Sequence, residues 1–193
     1  MSALILNLSP LVRMNDDDFE SLCQSNPDLK LERTEKGELV VMPLATGEGG
    51  RGEADLITDL NVWNRSSGLG VVFSSSTGFK LPSGANRSPD AASSRIIALP
   101  WLLLLGKEKS FHQLHLTSVI ELRSATDDIE PLIAKMQEYM ENGVRLGWLI
   151  NPQDRIVEIY RQGQPKQTLE APGSISGEDV LPGFVLDLSR IFE

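Results

Sequence analysis

The residues predict a chain of the α/β (α+β) class, and three observations carry that prediction. Residues 53–63 and 129–140 repeat apolar side chains at helical spacing. Three apolar runs, residues 69–73, 116–122 and 144–150, are rich in β-branched and aromatic side chains and read as strands. Turn signals at Lys36-Gly37 and at Asn151-Pro152-Gln153-Asp154 lie between apolar runs and read as hairpins. No repeat, linker or low-complexity tract interrupts these elements, so residues 1–193 are expected to form one domain.

Taken in order, Asn15 followed by Asp16, Asp17 and Asp18 marks a helix start, because a capping side chain precedes acids that suit the positive end of the helix dipole. Phe19, Leu22 and Cys23 form its buried face, which makes Cys23 a core thiol rather than a nucleophile. Residues 29–32 and 39–42 are the arms of the first hairpin. Residues 46–52 carry four glycines and read as a flexible loop feeding a helix, with Leu56, Ile57, Leu60 and Trp63 on one side. Backbone N–H groups of such a turn bind phosphate, but no Gly-Lys-Ser/Thr ending follows, so the phosphate-loop signal is weak. Glu53 falls in the first turn of that helix, where the dipole favours a carboxylate in any protein; an outer metal ligand is the functional alternative.

Residues 69–73 read as a buried strand, and a polar turn over 74–78 leads to Phe79-Lys80-Leu81. A second turn precedes Arg87-Ser88-Pro89-Asp90-Ala91-Ala92, where Pro89 disfavours helix at Ser88 and leaves Asp90 at the start of a strand. Residues 93–115 are poorly patterned, with Pro100 a first helical residue before Trp101. His112 and His115 share a helix face but have no acid or cysteine nearby, which speaks against a metal site. Glu121 ends the apolar run 116–122, and an acid there is either at the sheet rim or paired with a cation or metal. Asp127 and Asp128 offer caps for a helix striped by Ile129, Leu132, Ile133, Met136 and Met140 and closed by Gly143. Lys135 lies at the margin of that stripe, on the side of Tyr139. Two readings stay open for it: an ammonium reaching the strand ends over a buried stem, or a solvated lysine. Beyond the hairpin at 151–154, residues 162–165 make a further turn, and residues 180–188 are expected to pack back on the sheet.

With 18 Lys+Arg against 27 Asp+Glu the net charge is −9, which argues against a protein that coats nucleic acid non-specifically. The distribution is uneven. Lys80, Arg87, Arg95, Lys107, Lys109 and Arg123 face three acids, Asp90, Glu108 and Glu121, so any anion-facing surface is expected in that segment. One cysteine permits no internal disulfide, the N-terminus has no basic signal region, and the apolar run 101–105 is too short for a bilayer. These features predict a cytoplasmic protein without membrane contact.

Asp90, Glu121, Arg123 and Lys135 are the candidates for chemistry. Two acids at neighbouring strand ends suit a divalent cation, with Arg123 or Lys135 beside a phosphate or water. Spacing alone favours the simpler reading of rim ion pairs, Asp90 with Arg87 and Glu121 with Arg123.

Several stretches together resemble one family. They are residues 73–82 (FSSSTGFKLP), Arg87-Ser88-Pro89-Asp90-Ala91-Ala92, Ile120-Glu121-Leu122-Arg123-Ser124, Lys135-Met136-Gln137-Glu138-Tyr139, Asn142-Gly143-Val144, Gly147-Trp148-Leu149-Ile150-Asn151-Pro152 and Leu181-Pro182-Gly183-Phe184. Their order is similar to that of the Uma2 family of cyanobacterial type, also called domain of unknown function 820. That family is assigned to the PD-(D/E)xK restriction-endonuclease-like superfamily. The resemblance implies a restriction-endonuclease-like core, a mixed central sheet flanked by helices, with an N-terminal helix and hairpin and C-terminal hairpins. It implies an endonuclease dependent on Mg (or Mn) that acts on nucleic acid, DNA by expectation, as a homodimer. Asp90 and Glu121 match the superfamily's metal acids, the Leu122 carbonyl a further ligand, and Glu53 an extra acid. Arg123 stands where the superfamily lysine is expected, and Lys135 matches a lysine moved to the neighbouring helix. Arginine stays protonated, so Arg123 is expected to stabilise charge rather than act as a base. The alternative is a non-catalytic nucleic-acid-binding or regulatory protein that retains the nuclease fold.

Overall fold

The computed structural model describes residues 3–9, 11–95 and 116–193. The expectations for Pro100, Trp101, His112 and His115, and for Lys107 and Lys109 as part of an anion-facing surface, lie outside the described residues.

The larger sheet has six strands in the order β11-β10-β9-β8-β7-β4. These are β4 (Gly70–Ser74), β7 (Ala91–Arg95), β8 (Ser118–Leu122), β9 (Leu146–Asn151), β10 (Ile156–Arg161) and β11 (Gln167–Glu170). Its neighbours pair antiparallel except β8 with β9, so the sheet is mixed, as the resemblance implied. A parallel pair needs a crossover, and helix α3 (Ile129–Glu141) supplies it between β8 and β9. Gly143, at φ 91°, ends that helix in the left-handed region, and Asn142 is its C-cap.

A second sheet, in the order β1-β3-β2-β6-β5, is built from β1 (Leu4–Leu6), β2 (Lys30–Arg33), β3 (Leu39–Met42), β5 (Phe79–Lys80) and β6 (Asn86–Arg87). Helix α1 (Asp16–Ser25) leads into it through the expected start: Asn15 and Asp18 form a reciprocal capping box. Phe19 is fully buried, with Leu22 and Cys23 packed beside it. Burial pushes the Cys23 thiol pKa up, with Glu20 adding to the shift, in keeping with a core thiol.

Strand alternation sends side chains to two cores. Ile120, Trp148 and Ile150 face α2 (Gly47–Ser67) and the hairpin of β12 (Ser174–Ser176) and β13 (Val185–Asp187). Val119 and Leu149 face the other way, against Met136 and Tyr139 of α3. The chain end packs back as expected, through Val180, Leu181, Phe184, Leu186 and Leu188.

Two local expectations are corrected. The glycine-rich stretch is no loop, because Thr46 caps the helix and Gly47 to Gly52 are already helical, which places Glu53 in the second turn. Gly52 is needed where α2 crosses β8: a Cβ there would lie 2.6 Å from Leu122 Cδ2. Among the described residues, strand β4 lies at the sheet edge with β7 as its one ladder neighbour, and it is only partly buried. Among the described residues, no helix is long and apolar enough to cross a membrane.

Candidate functional site

Glu121 lies on β8 and alternates with Ile120 and Leu122, so it faces α3 rather than the α2 core. The β7–β8 register pairs Ala91 with Ile120, and one step further brings Asp90 opposite Glu121. Asp90 Oδ2 accepts the Leu122 N–H at 2.9 Å, which fastens that acid to the end of β8. Both acids therefore stand at the same end of adjacent strands.

Lys135 is buried on α3 between carboxylates. Its Nζ lies 2.9 Å from Glu121 Oε1 and 2.9 Å from Glu32 Oε1, and it donates to the Ser88 carbonyl at 3.5 Å. The solvated reading of Lys135 is thereby set aside. Burial works against its charge, but Glu121, Glu32 and Asp90 outweigh that and raise its pKa. The Tyr139 hydroxyl, one helical turn on, donates to the same Glu121 oxygen at 3.0 Å. Burial, aided by Asp90 and Glu32 and opposed by Lys135, holds the Glu121 pKa up at about 7.

Glu32, on β2, has the opposite balance. It is buried, which opposes ionisation, yet Lys135, Arg87 and the Ser88 N–H hold its pKa down at about 2. Arg87 Nη1 lies 3.0 Å from Glu32 Oε2, and its Nε pairs with Glu138 of α3. Five buried charged groups, Glu32, Arg87, Glu121, Lys135 and Glu138, thus join β2, β6, β8 and α3. Lys30, two residues before Glu32 on β2, places its Nζ 3.7 Å from Asp90 Oδ1. Glu53 accepts from Ser75 Oγ at 2.9 Å; burial and the charge of Asp90 raise its pKa.

Arg123 is not brought to this centre. Its Nε donates to the Asp127 carbonyl at 3.1 Å, and its Nη1 lies 3.2 Å from Asn151 Oδ1 and 3.3 Å from Asp154 Oδ2. Alternation would put residue 123 on the face of Glu121, but it lies past the end of β8, where its side chain is held by the Asp127 carbonyl, Asn151 and Asp154. The simple ion-pair reading is overturned as well, because Arg87 pairs with Glu32 and Glu138, and Glu121 pairs with Lys135. The predicted basic surface is likewise largely neutralised among the described residues: Lys80 pairs with Asp16, Arg87 is internal and Arg123 faces Asp154.

Sequence reasoning missed Glu32, Lys30, Arg87 as an internal partner, Glu138 and Tyr139. A strand reading Lys30-Leu31-Glu32-Arg33 signals that Lys30 and Glu32 share a face, but nothing local says which element that face meets.

The donors suit a hard cation. Asp90 and Glu121 supply carboxylate oxygen, and Mg²⁺ characteristically takes one or two carboxylates and completes its shell with water and substrate phosphate. Among the described residues no group of three or more His, Cys, Asp or Glu is gathered closely enough to hold a metal ion.

Comparison with known proteins follows the same line. No curated protein sequence matches the chain. A solved structure described as a putative nuclease belonging to DUF820 from Anabaena variabilis ATCC 29413 is similar, with a TM-score of 0.75 and 16% identity, over 93% of this chain and 97% of that one. At that identity the likeness is one of fold. Residues 16–189 match the model of a family described as "Uma2: Putative restriction endonuclease". The chain belongs to the Uma2 family.

Proposed function

We infer that the chain is a Mg²⁺- or Mn²⁺-dependent endonuclease that hydrolyses phosphodiester bonds of nucleic acid, DNA in the first instance. The observation that carries this reading is the placement of Asp90 and Glu121 at one end of adjacent strands with buried Lys135 against Glu121. Asp90, Glu121 and the Leu122 carbonyl would hold the cation, with Glu53 acting through water. The cation would supply Lewis acidity and a bound water of lowered pKa.

The chain's own residues do the rest. Lys135 keeps its proton and acts as a fixed positive charge, because a lysine held between two carboxylates is a poor base. It is fit to orient water at the centre through space, without itself contacting the phosphate. Glu32 and Tyr139 fix the ammonium and the Glu121 carboxylate in place. Cutting both strands of a duplex needs two such centres, which is the basis for expecting a homodimer.

The test is cleavage of plasmid and oligonucleotide DNA with Mg²⁺ or Mn²⁺. Asp90→Ala and Glu121→Ala are each expected to reduce cleavage to background while leaving the circular dichroism spectrum unchanged. Wild-type rates in both variants would overturn the reading. One observation favours the non-catalytic alternative: Asp90 and Glu121 already have protein partners. Calorimetric titration with Mn²⁺ separates the two, since in that alternative binding is weak and indifferent to Asp90→Ala and Glu121→Ala.

A further inference from the structure

Catalysis on a phosphodiester needs a positive group that the substrate phosphate can reach, and most cations at this centre cannot serve. Lys135 is clamped by two carboxylates with its side chain 6% exposed, and Arg87 is clamped by Glu32 and Glu138. Arg123 faces Asn151 and Asp154. Lys30 differs in each respect. Its side chain is 29% exposed, its one salt-bridge partner among the described residues is Asp90, and that contact is long at 3.7 Å. Glu53 also feels its charge, so Lys30 stands on the side of the centre where Asp90 and Glu53 are partly exposed, while Glu121 lies buried behind them. The placement follows from strand geometry: Lys30 and Glu32 lie on one face of β2, so the residue that secures Lys135 inside and the residue that reaches Asp90 outside come from the same strand.

We propose that Lys30 contacts the phosphate of the nucleic acid at the Asp90–Glu121 centre, the part that the sequence had assigned to Arg123. The proposal rests on the reading of that centre as one that takes nucleic acid. A lysine is a compact point charge on a flexible stem, suited to exchanging a carboxylate for a phosphate oxygen. β2 then forms one wall of the site, and the N-terminal sheet is part of the functional unit.

The experiment measures binding of a fluorescein-labelled DNA duplex by anisotropy, in Ca²⁺ to prevent turnover, over a range of salt. Cleavage in Mg²⁺ is followed in parallel. Lys30→Met is expected to weaken binding roughly tenfold and to lower the salt slope by about one, as for loss of one phosphate contact. In cleavage the loss should fall mainly on KM, and Lys30→Arg should restore most of the affinity. Lys36→Met removes an exposed charge from the same hairpin and serves as the control, with binding unchanged. Wild-type affinity and slope in Lys30→Met, an equal loss in Lys36→Met, or no DNA binding by the wild-type protein would each overturn the proposal. Binding without cleavage by the wild-type protein would overturn the nuclease reading instead, and the Lys30→Met affinity would still decide this one.

Discussion

Glu121 and Glu32 are both buried, both within 2.9 Å of the same ammonium, and titrate in opposite directions. The difference is the number of positive partners. Glu32 has Lys135, Arg87 and a backbone N–H, whereas Glu121 shares Lys135 and is repelled by Asp90 and Glu32. The folded protein therefore keeps a proton on Glu121 over a pH range in which the unfolded chain has lost it. That contribution is complete below the ordinary value of 4.5 and is lost as pH rises through about 7. Glu32 contributes the reverse, with stability present above 4.5 and lost as pH falls toward 2. Glu121→Gln cannot ionise, so its stability relative to wild type should rise between pH 5 and pH 8, by up to roughly 3 kcal/mol. Thermal melts of both proteins at the two pH values, without divalent cation, check this; a pH-independent difference would refute it. A carboxylate that weakens the folded state near neutral pH is what a site prepared for a cation would contain.

Elements meet at the site because a few close approaches allow it. Helix α2 reaches β8 at Gly52 and Leu122, and α3 rests on β9 at Gly147, where a Cβ would lie 2.4 Å from Met136 Cε. Strand β4 runs beside β7, the strand that Asp90 introduces, and is clasped at its start by Asn64, which exchanges two hydrogen bonds of 3.0 Å with Gly70. A Cβ on Gly70 would sit 2.6 Å from the Ser94 carbonyl oxygen, a backbone atom that cannot swing aside. Gly70→Ala is thus expected to lower stability by about 1–3 kcal/mol through loss of edge pairing. Gly70 pairs with Arg95, at the opposite end of the ladder from Asp90, so the cleavage proposed for the Asp90–Glu121 centre should survive this change at low temperature. Urea unfolding together with cleavage assays tests both halves of that statement.

At the scale of the whole molecule, a network of buried charge links the two sheets. Arg87 sits between Glu32 and Glu138, and its removal leaves two buried carboxylates short of a partner. Arg87→Met should cost about 3–5 kcal/mol, as for breaking an internal pair, whereas Arg145→Met, which cuts the exposed pair with Asp179, should cost less than about 1 kcal/mol. Denaturant melts of the two variants measure the contrast, and equal costs would show that the network does not hold the sheets together. The −9 charge of the chain adds a constraint at this scale, because nucleic acid must be held by few cations against a repulsive background. Binding should therefore be weak and steeply dependent on divalent cation.

The sequence by itself determined what depends on a short window. The cap at Asn15, the stripe of α3 closed by Gly143, the hairpin turning at Asn151 to Asp154 and the strand start at Asp90 were all legible, because caps, periods and turns act within a few residues. The order of the stretches that resemble the family was enough to name Asp90, Glu121 and Lys135 as candidates, and these three lie near one another in the fold. The glycine-rich run was misjudged because tertiary contact, with Leu122 packed on Gly52, favours helix where local propensity favours loop. Only the tertiary structure decided which charges meet. A side chain's partner is set by strand register and by the face a helix turns to a sheet, and one step of register separates Glu121, turned inward to Lys135, from its neighbours. Arg123, two residues on but past the end of β8, is held instead by the β9–β10 hairpin, and Lys30, from a strand in a different sheet, stands beside Asp90.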